Sequence, residues 1–248
     1  MSTTETMSAK EKIFLSAEWR DLLLLNYVVD PRLLSSHIPA GTVVDTFEGK
    51  TYVSVVGFRF CNTKIFGCLP IPFHQNFDEI NLRFYVRPKN KDPERRGVVF
   101  IAEIVPRWAV AATARLIYGE NYHSFSMKHS LVSQNPRQLL EYRWKMQKQW
   151  CSLQATADGV SDFPEKGSVE EFITEHYWGY SSTRSGGCIE YHVQHPQWRV
   201  RQCISSKFEG DARAIYGEEL AKILIQAPHS AFVADGSPII VHQGKKIM

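Results

Sequence analysis

Polar and apolar side chains alternate along the segment from Asp78 to Val86, which reads D-E-I-N-L-R-F-Y-V. Successive side chains of a β-strand leave opposite faces of the sheet. A strand here therefore has a polar face and an apolar face, formed respectively by Glu79, Asn81, Arg83 and Tyr85 and by Ile80, Leu82, Phe84 and Val86. This pattern predicts a β-strand and favours a fold built around a sheet.

The polar row of this strand has two interpretations. In a half-buried strand the row faces water and has no further role. In a closed sheet the same row lines an internal chamber, where a carboxylate, an amide, a guanidinium and a phenol could orient a small polar molecule. The alternation alone does not choose between them.

Composition narrows the class of protein. A chain of 248 residues is long enough to bury a core, and we expect one domain over residues 1–248. Residues 1–12 are expected to form a flexible tail. A net charge of +3 is too small to predict a nucleic-acid surface, and no apolar run has the length of a membrane span. Five cysteines without a C-x-x-C motif argue against disulfides and structural zinc. We expect a cytoplasmic protein without a membrane partner.

Further strands are predicted over residues rich in β-branched and aromatic side chains. They are Leu22–Leu25, Val43–Phe47, Tyr52–Phe60, Gly97–Ile104, Leu139–Trp144, Trp150–Gln154 and Ile189–Val193, with two more within Ala231–His242 around Asp235-Gly236-Ser237. We expect Val43–Phe47 and Tyr52–Phe60 to pair as a hairpin about Glu48-Gly49.

Helices are predicted in four places. Asp30 and Pro31 suit the start of a short helix over Pro31–His37, and the alanine-rich stretch from Pro106 favours a helix that Gly119 ends. Ser168 and Glu171 have capping-box spacing before a helix from Val169 to about Tyr177. A fourth helix is expected over Tyr216–Ile225, with Glu219 and Lys222 paired on its surface.

Motifs of known chemistry are few. His192 and His195 form H-x-x-H, but on a strand they face opposite sides, so we expect no metal there. Nucleotide-binding, nucleophile-elbow and zinc-protease motifs do not occur, and no cofactor is implied. His74, in P-I-P-F-H, lies either on a rigid pocket lip or in a loop clamped by prolines.

Several segments resemble the YqjF-like family, DUF2071. They are L-S-A-E-W-R-D-L-L-L-L-N-Y-V-V-D-P-R-L-L-S-S-H-I-P-A-G, Y-V-S-V-V-G-F-R-F, N-F-D-E-I-N-L-R-F-Y-V, R-G-V-V-F-I-A-E-I-V-P-R and Y-H-V-Q-H-P-Q-W-R-V. That family in turn resembles acetoacetate decarboxylase. The resemblance implies an α+β, mostly β fold, namely a closed antiparallel β cone or barrel with a few peripheral helices around a ligand cavity.

The resemblance also implies roles for individual residues. Arg20 falls on the substrate-site arginine of the decarboxylases, and Glu79 falls on a glutamate near their reacting centre. A second glutamate of that family falls on or near Val56, so we expect its acidic function to be absent here. The decarboxylase lysine that forms a Schiff base matches Met127, and Lys128 matches a second lysine. A thioether cannot form an imine, and Lys128 enters the cavity only if the strand register slips by one residue.

The sequence is compatible with three functions. The first is binding of a small carboxylate- or carbonyl-bearing ligand, with Arg20 or Arg83 pairing with an anionic group and Glu79, Asn81, Tyr85 and His74 around it. The second is a lysine-dependent lyase using Lys128 and Glu79 as catalytic residues. The third is a non-catalytic sensor or oligomerisation module whose interior is filled by side chains. Homo-oligomerisation is left open in each case.

Overall fold

One continuous sheet accounts for most of the described residues. The computed structural model describes residues 11–70, 75–89, 95–106 and 121–247. Fifteen strands lie in these ranges: β1 (Ile13–Val29), β2 (Thr42–Val44), β3 (Thr51–Ile65), β4 (Leu69–Pro70), β5 (Phe77–Pro88), β6 (Gly97–Val105), β7 (Tyr122–Ser124), β8 (Met127–Gln134), β9 (Arg137–Met146), β10 (Gln149–Ala157), β11 (Trp178–Ser182), β12 (Cys188–Gln194), β13 (Val200–Glu209), β14 (Ser230–His242) and β15 (Lys245–Lys246).

Seven of these strands form a closed ring. Their order is β12-β11-β6-β5-β3-β1-β14, and β12 pairs again with β14 where Val193 meets Val241 and Gln194 meets Ile240. Neighbouring strands of the ring are antiparallel except β6 and β11, which run parallel. Closure of a sheet creates an interior face that is separate from solvent.

The remaining long strands cover the outside of the ring. β13, β10, β9 and β8 continue the sheet from β14 and pack against the outer face of β1, β3 and β5. Tyr142 of β9 lies so close to β3 that a Cβ at Gly57 would be 2.6 Å from its ring. Only glycine fits at that position without a shift. The outer core contains Leu23, Leu25, Val53, Val55, Ile80, Leu82, Phe84, Leu140, Tyr142, Trp144 and Leu153.

Both faces of the ring strands are consequently buried. Within the leucine run, Leu22 and Leu24 join the interior cluster, while Leu23 and Leu25 join the outer core. A strand buried on both faces needs no polar alternation, which explains the four consecutive leucines. The apolar row of β5 likewise packs into the outer core, so its polar row faces the inside of the ring.

The fold class predicted from the sequence is confirmed. Of the residues that the structure describes, 60% are in strands and 11% in helices, and the closed sheet is compatible with a cone. The described helical elements are short: a 3-10 helix at Pro31–His37 and α-helices at Val169–Thr174, Arg213–Tyr216 and Glu218–Leu224. None of the helices within the described ranges has the length and apolar character required to cross a bilayer.

Two helix caps form as predicted. Asp30 accepts a hydrogen bond from the Arg32 backbone N–H at 2.9 Å, although the helix that follows is 3-10. Ser168 Oγ accepts from the Glu171 backbone N–H at 3.2 Å, and that helix ends at Thr174 rather than near Tyr177. The predicted helix from Pro106 to Gly119 lies almost entirely outside the described residues.

Two predictions of pairing and strand division are wrong, and one helix boundary is shifted. The turn expected about Glu48-Gly49 forms, since Phe47 bridges Lys50 across it, but the hairpin does not continue, because β2 pairs with β5 rather than β3. Asp235-Gly236-Ser237 does not separate two strands. Strand β14 continues through these residues, and Gly236 takes a φ of 76° within it. The helix expected over Tyr216–Ile225 forms over Glu218–Leu224, because Gly217, with a φ of 79°, separates it from a preceding helix that ends at Tyr216.

Candidate functional site

A cavity of about 200 Å³ occupies the interior of the ring. Strand β5 contributes Phe77, Glu79, Asn81 and Arg83, and the neighbouring strand β3 contributes Val56, Phe58 and Phe60. The volume lies below the roughly 300–1,000 Å³ of pockets for drug-sized ligands, so the space suits a small molecule.

The polar row of β5 forms one wall of this cavity. Glu79, Asn81 and Arg83 are 3%, 2% and 8% exposed, so the row does not face bulk water. Asn81 Nδ2 donates to Glu79 Oε1 at 3.1 Å. Asn81 therefore helps to fix the orientation of the Glu79 carboxylate.

A second buried carboxylate stands beside this row. Glu103 of β6 pairs in register with Asn81, is 1% exposed and lines the cavity. On the other side of Asn81 lies Val56, also a lining residue. Position 56, on or near which a family glutamate falls, is therefore a valine that carries no carboxylate. The second acidic group of this cavity comes instead from β6, the other neighbour of β5.

Arg83 is the one arginine or lysine among the described residues that line the cavity. Its Nη2 makes a long contact of 3.5 Å with the Ile173 carbonyl oxygen, and its guanidinium lies 5.7 Å from the centre of the Tyr85 ring. Its Nε has no hydrogen-bond partner, and no carboxylate of the described chain forms an ion pair with it. A buried cation without an anionic partner is costly, and a bound anion would relieve that cost.

Two imidazoles lie near Arg83. Burial lowers the pKa of His176 to about 4, although the Asp45 carboxylate 3.6 Å away acts in the opposite direction. Burial likewise lowers the pKa of His195 to about 4, and the positive charge of Arg83 contributes to both shifts. Both histidines are therefore neutral near pH 7 and line the cavity without adding charge.

Aromatic side chains line the cavity next to the Glu79 end of the polar row, since Phe58 pairs in register with Glu79 and Phe60 with Phe77. Trp19 of β1 packs edge-on against Phe58, Phe60 and Trp198, with ring centres 5.3, 5.9 and 6.0 Å away. Phe60 stacks on Phe77 at 4.6 Å. We call these five lining residues, Trp19, Phe58, Phe60, Phe77 and Trp198, the aromatic wall.

Arg20 lies outside the cavity. Its side chain is 43% exposed and pairs with Glu18 at 2.5 Å, whereas its neighbour Trp19 points inward. Leu22 is again a lining residue, because the strand has an irregularity after Arg20, where Asp21 takes a φ of 55°. The expectation that Arg20 and Glu79 share one cavity is therefore not met by this geometry.

Lys128 and Tyr85 also lie apart from the cavity. Lys128 is exposed on β8, which belongs to the outer layer, and its Nζ lies 5.6 Å from the Trp150 ring centre. Its neighbour Met127 packs partly against the outer core. The Tyr85 hydroxyl is buried and lies 2.6 Å from Ser54 Oγ instead of lining the cavity. His74 lies outside the described residues.

His192 and His195 separate as the strand spacing predicts. His195 lines the cavity, while His192 stacks on Trp178 and on His242. Glu11 joins His192 and His242, and donor atoms of these three residues lie within 4.8 Å of one another. The two imidazoles are nearly parallel at 14°, and Lys245 Nζ lies 3.2 Å from Glu11 Oε1. The cluster thus combines one carboxylate, two imidazoles and one lysine amine.

Two cavity-lining residues, Glu103 and His176, were not among the site residues predicted from the sequence. Glu103 was visible as a lone carboxylate in the otherwise apolar segment G-V-V-F-I-A-E-I-V, where an ionisable residue on a doubly buried strand indicates a site. His176 follows a short helix without any local pattern. Its position beside Arg83 results from long-range packing of residues 173–176 onto the ring.

Solved structures show the class of fold to which this arrangement belongs. Acetoacetate decarboxylase from Legionella pneumophila subsp. pneumophila str. Philadelphia 1 is similar with a TM-score of 0.67 and 15% identity, covering 98% of this chain and 93% of that one. The enduracididine biosynthesis enzyme MppR complexed with pyruvate gives a TM-score of 0.66 and 10% identity, covering 100% and 95%. An acetoacetate decarboxylase-like enzyme from Sphingomonas wittichii RW1 gives 0.66 and 11%, covering 100% and 98%. The chain has an acetoacetate decarboxylase-like fold.

Sequence comparison then identifies the family. The model of DUF2071, described as an uncharacterized conserved protein, matches residues 16–238. The protein YqjF of Bacillus subtilis (strain 168) is 26% identical over 203 residues, which are 79% of this chain and 80% of the relative. The chain belongs to the DUF2071 family.

Proposed function

We propose that this protein binds a small carboxylate-bearing molecule inside its ring, with Arg83 as the anion-binding residue. The observation that carries the proposal is a buried guanidinium that lines a cavity and has no carboxylate partner in the described chain. A guanidinium matches a carboxylate in two parallel hydrogen bonds, and burial strengthens such bonds relative to water.

The surrounding polar groups would orient the ligand. Glu79 and Glu103 stand farther along the same wall, with Asn81 between them in register. Glu79 lies four residues from Arg83, which corresponds to about 13 Å along a strand. A carboxylate would therefore favour the Arg83 end, and a carbonyl, hydroxyl or leaving proton would face Glu79, the candidate acid or base.

The other two hypotheses have less support. A cavity of about 200 Å³ disagrees with an interior filled by side chains. A lyase using Lys128 requires its amine inside the ring, whereas Lys128 is exposed on the outer layer and no lysine is among the lining residues in the described ranges. The pyruvate complex of MppR is a property of that protein and motivates only the choice of a probe.

The test compares two arginines. Pyruvate and butyrate are titrated into the wild type, Arg83→Met and the control Arg20→Met by calorimetry. A hydrogen bond to a charged group contributes about 1.5–3 kcal/mol, so Arg83→Met should weaken binding about 10- to 150-fold. Arg20→Met should change it little, because Arg20 lies outside the cavity.

Arg83→Lys completes the series. It keeps the charge but loses the planar fork, so its affinity should fall between those of the wild type and Arg83→Met. Equal affinities in the wild type and Arg83→Met would contradict the proposal, as would loss of binding in Arg20→Met alone.

A further inference from the structure

The pairing of β12 with β14, which closes the ring and which we call the closing seam, has an imidazole on each strand. Val193 meets Val241 in this pairing, and both valines line the cavity. His192 precedes Val193 and His242 follows Val241, so strand alternation directs both imidazoles away from the cavity. Their ring centres are 5.3 Å apart. The two rings therefore lie side by side across the closing seam.

Glu11 completes a set of three metal-ligating side chains. Its Oε2 lies 3.2 Å from His192 Nδ1 and 3.9 Å from His242 Nδ1, and one ligand atom of each residue lies within 4.8 Å of the others. Tetrahedral coordination with bonds of about 2.0–2.2 Å places ligand atoms roughly 3.3–3.6 Å apart. The carboxylate is thus at coordination spacing from one imidazole and slightly beyond it from the other.

The chemistry of this set selects the kind of ion. Imidazole and carboxylate suit zinc and the neighbouring first-row divalent ions, whereas Mg²⁺ and Ca²⁺ prefer oxygen ligands alone. The side chains of His192, His242 and Glu11 are 29%, 12% and 30% exposed, so an ion can enter from solvent and keep water as a further ligand. The set differs from the H-x-x-H of the sequence, because His242 takes the place of His195.

Two neighbouring side chains respond to an ion at this place. Lys245 Nζ lies 3.2 Å from Glu11 Oε1, the oxygen not shared with the imidazoles, and its 67% exposed side chain can turn into water at little cost. His192 stacks on Trp178 with ring centres 4.7 Å apart. Because the lone pair of an imidazole lies in the plane of its ring, the two rings, now 14° from parallel, must turn towards the ion. Binding therefore alters the stack on Trp178.

We propose that Glu11, His192 and His242 form a binding site for a divalent transition metal ion of the zinc class. The ion joins the segment before β1 to both strands of the closing seam and so stabilises the closed ring. None of the three residues is among those that line the cavity in the described part of the chain, so this site is independent of the ligand proposed for Arg83.

Zinc binding to protein without a histidine tag is measured by calorimetry and thermal unfolding at pH 7.5. We expect one ion per chain and a Tm increase of about 5–10 °C at a free Zn²⁺ concentration about 100 times the Kd, because the ion stabilises the folded state to which it binds. His192→Gln and Glu11→Gln should each weaken binding more than about 100-fold, since losing even a group that only supports a ligand costs about 10- to 100-fold.

Two further variants serve as matched controls. His129→Gln removes an imidazole that pairs with the single carboxylate of Asp78 at 2.9 Å, and it should leave the Zn²⁺ affinity unchanged. Lys245→Met removes the amine that competes for Glu11 and should tighten Zn²⁺ binding about 2- to 5-fold, because an exposed ion pair no longer has to break.

Trp178 reports the position of the ion. Cu²⁺ quenches tryptophan fluorescence at short range, so it should quench part of the emission of the wild type. The same addition should quench Trp178→Phe less, and Glu11→Gln should need a much higher Cu²⁺ concentration for the same effect.

Absence of Zn²⁺ binding in both the wild type and Lys245→Met would overturn the proposal. Binding that persists in Glu11→Gln and His192→Gln would also overturn it, because the ion would then lie elsewhere, for example at the exposed thiol of Cys68. Glu11 precedes β1 and is partly exposed, so Glu11→Gln keeps the test decisive if His192→Gln does not fold.

Discussion

The Tyr85 hydroxyl lies 2.6 Å from Ser54 Oγ, and Ser54 Oγ lies 2.6 Å from Asn26 Oδ1. The donor and acceptor in each of these two hydrogen bonds follow from the groups involved. The Asn26 amide donates through Nδ2 to Ser230, so its Oδ1 must accept from Ser54. Ser54 has one hydrogen and gives it to Asn26, so it accepts from Tyr85. The Tyr85 hydroxyl is thus part of a hydrogen-bond network that links β5, β3, β1 and β14.

Replacing Tyr85 by Phe should therefore reduce stability rather than ligand binding. Loss of one buried hydrogen bond costs about 1 kcal/mol, which corresponds to a Tm decrease of about 2–4 °C for a chain of this size. Calorimetric Kd values for pyruvate and butyrate should remain those of the wild type. A loss of affinity with unchanged Tm would instead place the Tyr85 hydroxyl at the ligand.

Acid should destabilise the protein through its buried histidines. The pKa of His176 and of His195 is about 4 in the folded state, lowered by burial from an ordinary value of 6.5. Between these values the unfolded chain binds more protons than the folded chain. Stability is therefore present above pH 6.5 and is lost as pH falls through 6.5 towards 4.

His176→Phe isolates one of these contributions. The variant keeps an aromatic side chain beside Tyr85 and Phe172, and Asp45 keeps its ion pair with Arg96 at 2.7 Å. We expect the decrease in Tm between pH 7 and pH 4.5 to be smaller than that of the wild type but not abolished, because His37 and His195, whose pKa values burial also lowers, remain. Thermal unfolding across this range measures it. Parallel curves for the two proteins would show that His176 does not cause the acid sensitivity.

Two glycines with the same backbone conformation should respond differently to alanine. Gly49 and Gly236 have φ values of 74° and 76°, but a Cβ at Gly49 meets nothing within 4 Å, whereas one at Gly236 would be 2.1 Å from the Trp19 carbonyl oxygen. Gly49→Ala should cost roughly 1–2 kcal/mol for the left-handed backbone alone.

Gly236→Ala should cost about 1–3 kcal/mol more, because β1 must move. Since Trp19 lines the cavity, this variant should also weaken binding of pyruvate and butyrate, whereas Gly49→Ala should not. Chemical denaturation and calorimetry of the two variants provide the comparison. Equal losses of stability would mean that β1 accommodates the extra methyl group freely.

Sequence patterns predicted the wall of the site better than its surroundings. The alternation in β5 identified Glu79, Asn81 and Arg83 as one face, because strand periodicity is a local property. Whether that face meets water or a cavity depends on pairing between Val193 and Val241, which are distant in sequence. Arg20 illustrates another limit: family spacing aligned it with a site residue, but Trp19 is the residue that faces inward.

The position of Lys128 gives a final prediction about chemistry. Imine formation requires a neutral amine near the ligand, usually achieved by burial or a neighbouring cation. Lys128 is exposed on β8, and Met127, on the matching position for the Schiff-base lysine, has no amine. We therefore expect no borohydride-trapped adduct specific to Lys128 after incubation with pyruvate or acetoacetate.

Intact-mass and peptide analysis of the trapped protein measure this, with Lys128→Ala and the exposed-lysine control Lys207→Ala treated in parallel. Slow surface modification would affect both lysines alike and would not respond to butyrate, since neither residue lines the cavity. A single adduct at Lys128 that butyrate suppresses, together with carbon dioxide release that Lys128→Ala abolishes, would mean that β8 delivers Lys128 to the ligand. That result would replace the binding function proposed here with a lysine-dependent lyase.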